Sequence, residues 1–183
     1  MTESAVKIED IAVSRTPRTV SPADEQILAG QLGRPARGVV EIAARCVCGT
    51  PLVVRTAPRL PSGEPFPTTY YLTHPVAATA IAHFEADGFM ARFNARLADD
   101  EAFRQAYQRA HEDYLRRRAE LGDVPEIAGI SAGGMPWRVK CLHALAAHAL
   151  AVGPHINLVG DETLVLISPR WRPDRCQCPP PMT

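Results

Sequence analysis

Five cysteines carry the clearest chemical signal in this sequence, and four of them form two Cys-x-Cys pairs. The pairs are Cys46-x-Cys48 and Cys176-x-Cys178, and the remaining cysteine, Cys141, stands alone. Side chains two residues apart point to the same side of an extended strand, and at a turn both thiols can reach one ion. An odd number of cysteines in this arrangement is not typical of a secreted disulfide framework. Metal ligands, a reactive thiol with a histidine as base, and buried apolar residues stay open.

Two sets of ligands could hold a metal ion. One set combines the two Cys-x-Cys pairs into a tetrahedral four-thiolate site, which would fix the C-terminal tail to the hairpin as a structural zinc does. The other set takes Cys46 and Cys48 and adds His74 and Cys141. Mixed cysteine and histidine ligands favour zinc, and an iron–sulfur centre is the alternative.

A glycine-rich segment, GISAGGMPWRVK, indicates an anion site. Gly133 and Gly134 precede Pro136, a residue typical of the first helical position. Backbone amides that converge before a helix attract an anion, and Arg138 and Lys140 would supply the counter-charges. The spacing matches neither a P-loop nor a dinucleotide fingerprint, and the plainer alternative is that the glycines only turn the chain.

Helical phase separates the polar residues that follow this segment. On a helix that begins at Pro136, Lys140 and His143 share one face. Cys141 would then lie about 200° around the axis from His143, so the two could not face the same ion. His143 therefore fits the anion site, or a role in proton transfer, better than a site with the thiolates.

The sequence patterns around these residues predict an α+β fold, with a small antiparallel sheet of about three strands and five or so helices. Residues 38–45 and 51–57 read as a hairpin around CVCGTP, and TTYYLT reads as a third strand. Helices are predicted over 21–33, 73–88, 89–98, 99–121, 136–152 and 161–167. The predicted organisation is a flexible arm (1–20), a single domain (21–168) and a Pro/Cys-rich tail (169–183).

Composition excludes two classes of partner. The chain has 20 basic and 20 acidic residues, hence no net positive field for nucleic acid, and no nucleic-acid partner is expected. No apolar run approaches the roughly 18 residues needed to span a bilayer, and no signal sequence is evident. We therefore expect a cytoplasmic protein without a membrane span.

Two longer blocks, PRLPSGEPFPTTYYLT and SAGGMPWRVKCLHAL, carry a resemblance to a known family. They resemble the signature stretches of an actinobacterial family catalogued as domain of unknown function 501, over about Gly30 to Asp161. No activity is established for that family, so the resemblance implies none. Its pattern holds His or Cys at the position of His74, an exchange that a soft-metal ligand tolerates, and is less regular at Cys48. The C-terminal Cys-x-Cys pair lies outside the resemblance.

The resemblance therefore favours the metal site of Cys46, His74 and Cys141, with Cys48 as a further ligand. The anion site would lie beside it, built from Arg59, Gly133, Gly134, Arg138, Lys140 and His143. One alternative is a metal-free binding module for a phosphorylated small molecule. Another is a structural partner of cell-division or envelope proteins, which the resemblance implies because genes of the family often lie near one for a septum-formation-initiator-like protein.

Overall fold

The computed structural model describes residues 6–178 of the chain, and over that range it contains one three-stranded sheet and six α-helices. The strands are antiparallel and adjacent in chain order: β1 (Val39–Arg45), β2 (Pro51–Thr56) and β3 (Tyr70–Leu72). The helices are α1 (Pro22–Leu32), α2 (Pro75–Ala86), α3 (Phe89–Asp99), α4 (Glu101–Ala119), α5 (Leu142–Val152) and α6 (Leu158–Ile167). The predicted α+β fold class is confirmed. None of the helices in this part of the chain is both long and apolar enough to cross a bilayer.

The sheet is covered on both faces, which explains why every residue of β2 is buried. On one face, Leu28 of α1 packs against Ile42 and Val54. Side chains alternate between the faces of a strand, so the neighbouring Ala43 and Val53 point to the other side and join the main core with α5. The buried strand β2, which is the central strand of the sheet, thus gives the Cys46 loop a rigid base.

Several helix ends follow directly from the sequence. Ser21 accepts a hydrogen bond from the Asp24 amide and Asp24 accepts one from the Ser21 amide, which is a full capping box for α1. At α4 the Asp100 carboxylate accepts a hydrogen bond from the Phe103 amide, which caps the helix. At α2 the cap is His74, and this places the imidazole at a helix start.

The helix predicted from Pro136 is wrong, because α5 begins only at Leu142. Gly133 and Gly134 have φ angles of 68° and 92°, and the amide of Lys140 donates to the carbonyl of Gly133. A Cβ on Gly134 would lie 2.3 Å from the carbonyl oxygen of Arg138. The glycines therefore allow a tight, non-helical loop to close, and the chain enters α5 through the extended residue Cys141.

Parts of both predicted terminal segments lie against the core. Ser14 pairs with Arg45 at the end of β1, and the Arg15 guanidinium donates to the Leu150 carbonyl at 3.0 Å. Trp171, in the predicted tail, is 1% exposed. Residues 1–5 of the predicted arm and 179–183 of the predicted tail lie outside the described residues. The described parts of both segments thus belong to the packed structure.

Helices α5 and α6 approach closely at Gly160. A Cβ at this position would lie 2.2 Å from the Leu145 carbonyl oxygen and 2.8 Å from the Ala149 Cβ. We expect Gly160→Ala to destabilise the protein by about 2 kcal/mol, since overpacking moves backbone as well as side chains. Alanine is the better helix former by about 1 kcal/mol, so helix propensity alone predicts the opposite sign. Urea unfolding of the two proteins measures the difference, and an unchanged or higher midpoint would contradict the close approach.

Candidate metal centre

The first Cys-x-Cys pair lies in the loop between β1 and β2. The Cys46 amide donates to the Thr50 carbonyl at 2.9 Å, and the Cys46 carbonyl accepts from the Gly49 amide at 2.8 Å. Gly49 has a φ of 89°, the left-handed conformation that ends a three-residue hairpin loop. Cys46 is buried at the base of this loop and Cys48 is exposed near its tip. The local sequence CVCGT therefore specifies both the turn and the position of its two thiols.

The second Cys-x-Cys pair reaches this loop because the C-terminal segment is attached to it. The Val47 amide donates to the Pro173 carbonyl at 2.9 Å. Arg172 donates to the Asp10 carbonyl at 2.6 Å and pairs with Asp174. The Trp171 ring is buried 5.6 Å from the His74 ring, measured between centroids. These contacts turn the chain so that the residues after Trp171 run beside the hairpin.

The four paired cysteines meet in one cluster. The Sγ atoms of Cys46, Cys48, Cys176 and Cys178 all lie within 4.8 Å of one another, and those of Cys48 and Cys178 are 3.4 Å apart. A tetrahedral ion with metal–sulfur bonds of about 2.3 Å separates its sulfur ligands by about 3.8 Å. The cluster thus has the composition and size to hold one metal ion.

The thiols of the cluster differ in their acidity. Burial raises the pKa of Cys46 and that of Cys178. Burial also opposes ionisation of Cys48, but hydrogen bonds from the hydroxyl and amide of Thr50 and from the tail thiols outweigh it and lower the Cys48 pKa to about 6. The Cys48 thiol is therefore more acidic than the thiols of Cys46 and Cys178. Complete ionisation requires positive charge at the centre, which a bound cation supplies.

His74 borders the cluster as a hydrogen-bond donor. Its Nδ1 accepts from the Ala77 amide at 3.3 Å, so the proton of the neutral ring lies on Nε2, assigned here from its partners. That Nε2 is 3.3 Å from Cys178 Sγ. Burial lowers the pKa of His74 and keeps the ring neutral. Because a protonated nitrogen cannot bind a metal, the structure places this predicted ligand beside the thiolates and not among them.

Cys141, the other ligand of the predicted mixed set, does not belong to this cluster. It groups instead with Glu85 and His143, whose ligand atoms lie within 4.8 Å of its own. Cys141 Sγ is 3.9 Å from His143 Nδ1, so the prediction that these two residues cannot face one ion is wrong. That prediction assumed a helix through both residues, whereas Cys141 precedes α5 with φ −153° and ψ 111°. Sequence reasoning did not single out Glu85, which only the packing of α2 on α5 brings here.

The predicted anion-binding residues lie in different environments. Arg59 pairs with both carboxylate oxygens of Glu126 at 2.7 Å, while Arg138 and Lys140 are exposed. The first amide of α5, that of Leu142, donates to Glu85 Oε1 at 2.6 Å. A carboxylate of the protein thus occupies the N-terminus of α5, whereas the anion was predicted at the glycine turn before Pro136.

His143, also predicted for the anion site, is held by three groups. Its Nδ1 lies 3.1 Å from Glu85 Oε1 and its Nε2 lies 3.0 Å from the Ala78 carbonyl oxygen. The pKa of His143 is raised to about 9, chiefly by the hydrogen bond with Cys141. Burial opposes this shift, while the hydrogen bond with Ala78 and the charge of Glu85 add to it. Its positive charge is therefore directed at protein groups.

Comparison with known families agrees with the two signature blocks. The family described as Protein of unknown function (DUF501) matches residues 42–165. The chain belongs to the DUF501 family. The DUF501 match includes Cys46, Cys48 and His74, and it ends before Cys176 and Cys178. Among curated proteins and solved structures there is no match to this chain.

Proposed function

We propose that this DUF501 protein binds one structural zinc ion through Cys46, Cys48, Cys176 and Cys178. The observation that carries the proposal is the convergence of four thiols, from two segments far apart in sequence, to within 4.8 Å of one another. A site with four protein ligands leaves no open coordination position, which is the pattern of structural zinc. The ion would join the C-terminal segment to the β1–β2 hairpin.

The spacing of the thiols favours a single ion over an iron–sulfur cluster. In such a cluster the cysteines bind different irons, so their sulfur atoms are spread around a larger object. Four thiolates around one centre suit zinc, or iron as a single ion, on ligand softness and tetrahedral geometry. Zinc needs no redox partner and no preferred d-electron geometry, so it is the ion that we propose.

Two neighbours support the same assignment. The His74 Nε2–H group points at Cys178 Sγ and would stabilise thiolate charge, as outer hydrogen bonds do at metal centres. Thr50 Oγ1 lies 3.2 Å from Cys48 Sγ and acts in the same way on the hairpin side. Buried Trp171 packs beside His74 and holds it in place.

Metal analysis of the full chain tests the proposal. Protein purified under reducing conditions without chelator should contain about one equivalent of zinc more than the double variant Cys176→Ser/Cys178→Ser. His83→Ala is the control, because it removes a possible metal ligand at an exposed position outside the cluster, and it should keep that equivalent. A difference below about 0.2 equivalents between wild type and the double variant would exclude the centre, and iron in place of zinc would correct the metal.

A further inference from the structure

We propose that Glu85, Cys141 and His143 form a second zinc site, distinct from the four-cysteine centre, with one coordination position open to solvent. The three residues come from the end of α2, the residue before α5 and the first turn of α5. One carboxylate oxygen, one sulfur and one ring nitrogen lie within 4.8 Å of one another. Carboxylate, thiolate and imidazole are the three ligand types that zinc takes in proteins.

The orientation of His143 leaves the correct nitrogen facing the other two residues. Its Nε2 is 3.0 Å from the Ala78 carbonyl oxygen, which can only accept a hydrogen bond, so Nε2 carries a proton. Nδ1 then points at Glu85 and Cys141. A histidine that binds a metal through one nitrogen usually donates a hydrogen bond from the other, often to a backbone carbonyl, and this fixes the orientation of its ring.

The two other ligands are also held in place. The Leu142 amide donates to Glu85 Oε1 and fixes the carboxylate at the start of α5. Cys141 is the N-cap residue of α5, but its side chain makes no capping hydrogen bond and lies beside His143 instead. No helical turn has to unwind for the thiol to reach an ion between the three residues.

The distances suit one ion after a small adjustment. His143 Nδ1 and Glu85 Oε1 are 3.1 Å apart, against about 3.3 Å for two light ligands of a tetrahedral zinc. Cys141 Sγ and His143 Nδ1 are 3.9 Å apart, against about 3.6 Å for a sulfur and a nitrogen ligand. In the metal-free protein a proton lies between His143 and Glu85, and the ion takes its place.

The number of protein ligands distinguishes this site from the four-cysteine centre. The side chains of His143 and Glu85 keep 29% and 22% of their accessible surface, and Cys141 is half-buried. Three protein ligands with solvent access leave room for a water molecule or another small ligand, which is the pattern of zinc sites with an open position. One carboxylate and one thiolate balance the double charge of the ion.

Cobalt titration of the metal-free full chain tests this site. We expect two equivalents of Co²⁺ to bind, one with the intense absorption of four thiolates and one with the weaker absorption of a single thiolate. His143→Ala should remove only the second equivalent, and Glu85→Gln should weaken its binding at least about tenfold, because a neutral amide is a poorer ligand. His83→Ala, at an exposed position on α2, is the matched control and should keep both equivalents.

The open position has its own measurement. Added thiocyanate should change the absorption of the second equivalent and leave that of the first unchanged, because only the second has a position to bind it. Circular dichroism of each variant verifies that it is folded. If folded His143→Ala binds as many equivalents as wild type, the three residues form only a hydrogen-bonded cluster. The double variant Cys176→Ser/Cys178→Ser loses the other equivalent, so failure of one site is distinguishable from failure of the other.

Discussion

Removal of the metal with a chelator is expected to shift the emission of Trp171 to longer wavelength and to lower the melting temperature by roughly 10 °C. Trp171 is 1% exposed and lies between His74 and the tail that carries Cys176 and Cys178. Once the ion is removed, no bond links the tail thiols to the hairpin, and the hydrogen bonds of Pro173 and Arg172 must hold the tail alone. Loss of a buried tryptophan contact costs about 3 kcal/mol or more.

A single-tryptophan protein makes this measurement specific. The chain has two tryptophans, and Trp137 is 87% exposed, so Trp137→Phe removes a signal that does not depend on the tail. In that background, Cys176→Ser/Cys178→Ser should show the shifted emission without chelator, and chelator should add nothing further. If metal analysis verifies complete removal and the Trp171 emission stays unchanged, the ion does not hold the tail.

Arg45→Ala is expected to destabilise the protein by about 4 kcal/mol, because it leaves a carboxylate buried without its partner. The Arg45 guanidinium is buried and donates to both oxygens of Asp24, at 2.7 and 3.1 Å. It also donates to the carbonyls of Pro17, Thr19 and Gly49, and so joins α1, the N-terminal segment and the hairpin loop. Gly49 belongs to the loop that carries Cys46 and Cys48, and the variant should therefore also bind zinc less tightly.

Arg18→Ala is the matched control for Arg45→Ala. Arg18 pairs with Glu41 at the surface, where an ion pair contributes about 1 kcal/mol or less. Urea unfolding of both variants gives the comparison. Equal losses of unfolding free energy in the two variants would show that the buried Arg45–Asp24 pair stabilises the fold no more than a surface ion pair.

The same pair predicts a dependence of stability on pH. The hydrogen bond from Arg45, opposed by burial and supported by Ser21, lowers the pKa of Asp24 to about 2 from its ordinary 3.8. A lowered pKa in the folded state stabilises the protein fully above pH 3.8, and this contribution is lost as the pH falls towards 2. In the presence of chelator, the stability difference between wild type and Asp24→Asn should therefore shrink between pH 4 and pH 2. If the stability difference stays constant over this pH range, Arg45 does not lower the pKa of Asp24.

Local chemistry accounts for the parts of the fold that the sequence predicts correctly. The Ser21 cap and the hairpin around CVCGT depend on hydrogen bonds between residues a few positions apart, so their patterns are visible along the chain. The predicted start of α5 at Pro136 is wrong for a related reason. Pro136 resembles a first helical residue, but the positive φ angles of Gly133 and Gly134 and the hydrogen bond from Lys140 back to Gly133 stabilise a loop instead.

The ligand sets could not be decided locally. Both sets contain Cys46 and Cys48, and the choice of partner depends on where the chain after α6 runs. That path follows from the burial of Trp171 and from the hydrogen bond between Val47 and Pro173, which are contacts between distant residues. The paired Cys-x-Cys spacing was the available signal for the four-cysteine cluster. Glu85 had no comparable signal, since a glutamate near a helix end is ordinary.

Because the two Cys-x-Cys pairs lie far apart in the chain, the four-cysteine centre can be completed only late in synthesis. Cys48 and Cys178 are 130 residues apart, and almost all of the core lies between them. During synthesis the sheet and helices emerge first, and the complete ligand set exists only after Cys178 has left the ribosome. A chain that stops before Cys176 keeps the two hairpin thiols but lacks the other two ligands of the ion. Metal occupancy would then distinguish chains that contain Cys176 and Cys178 from chains that stop before them.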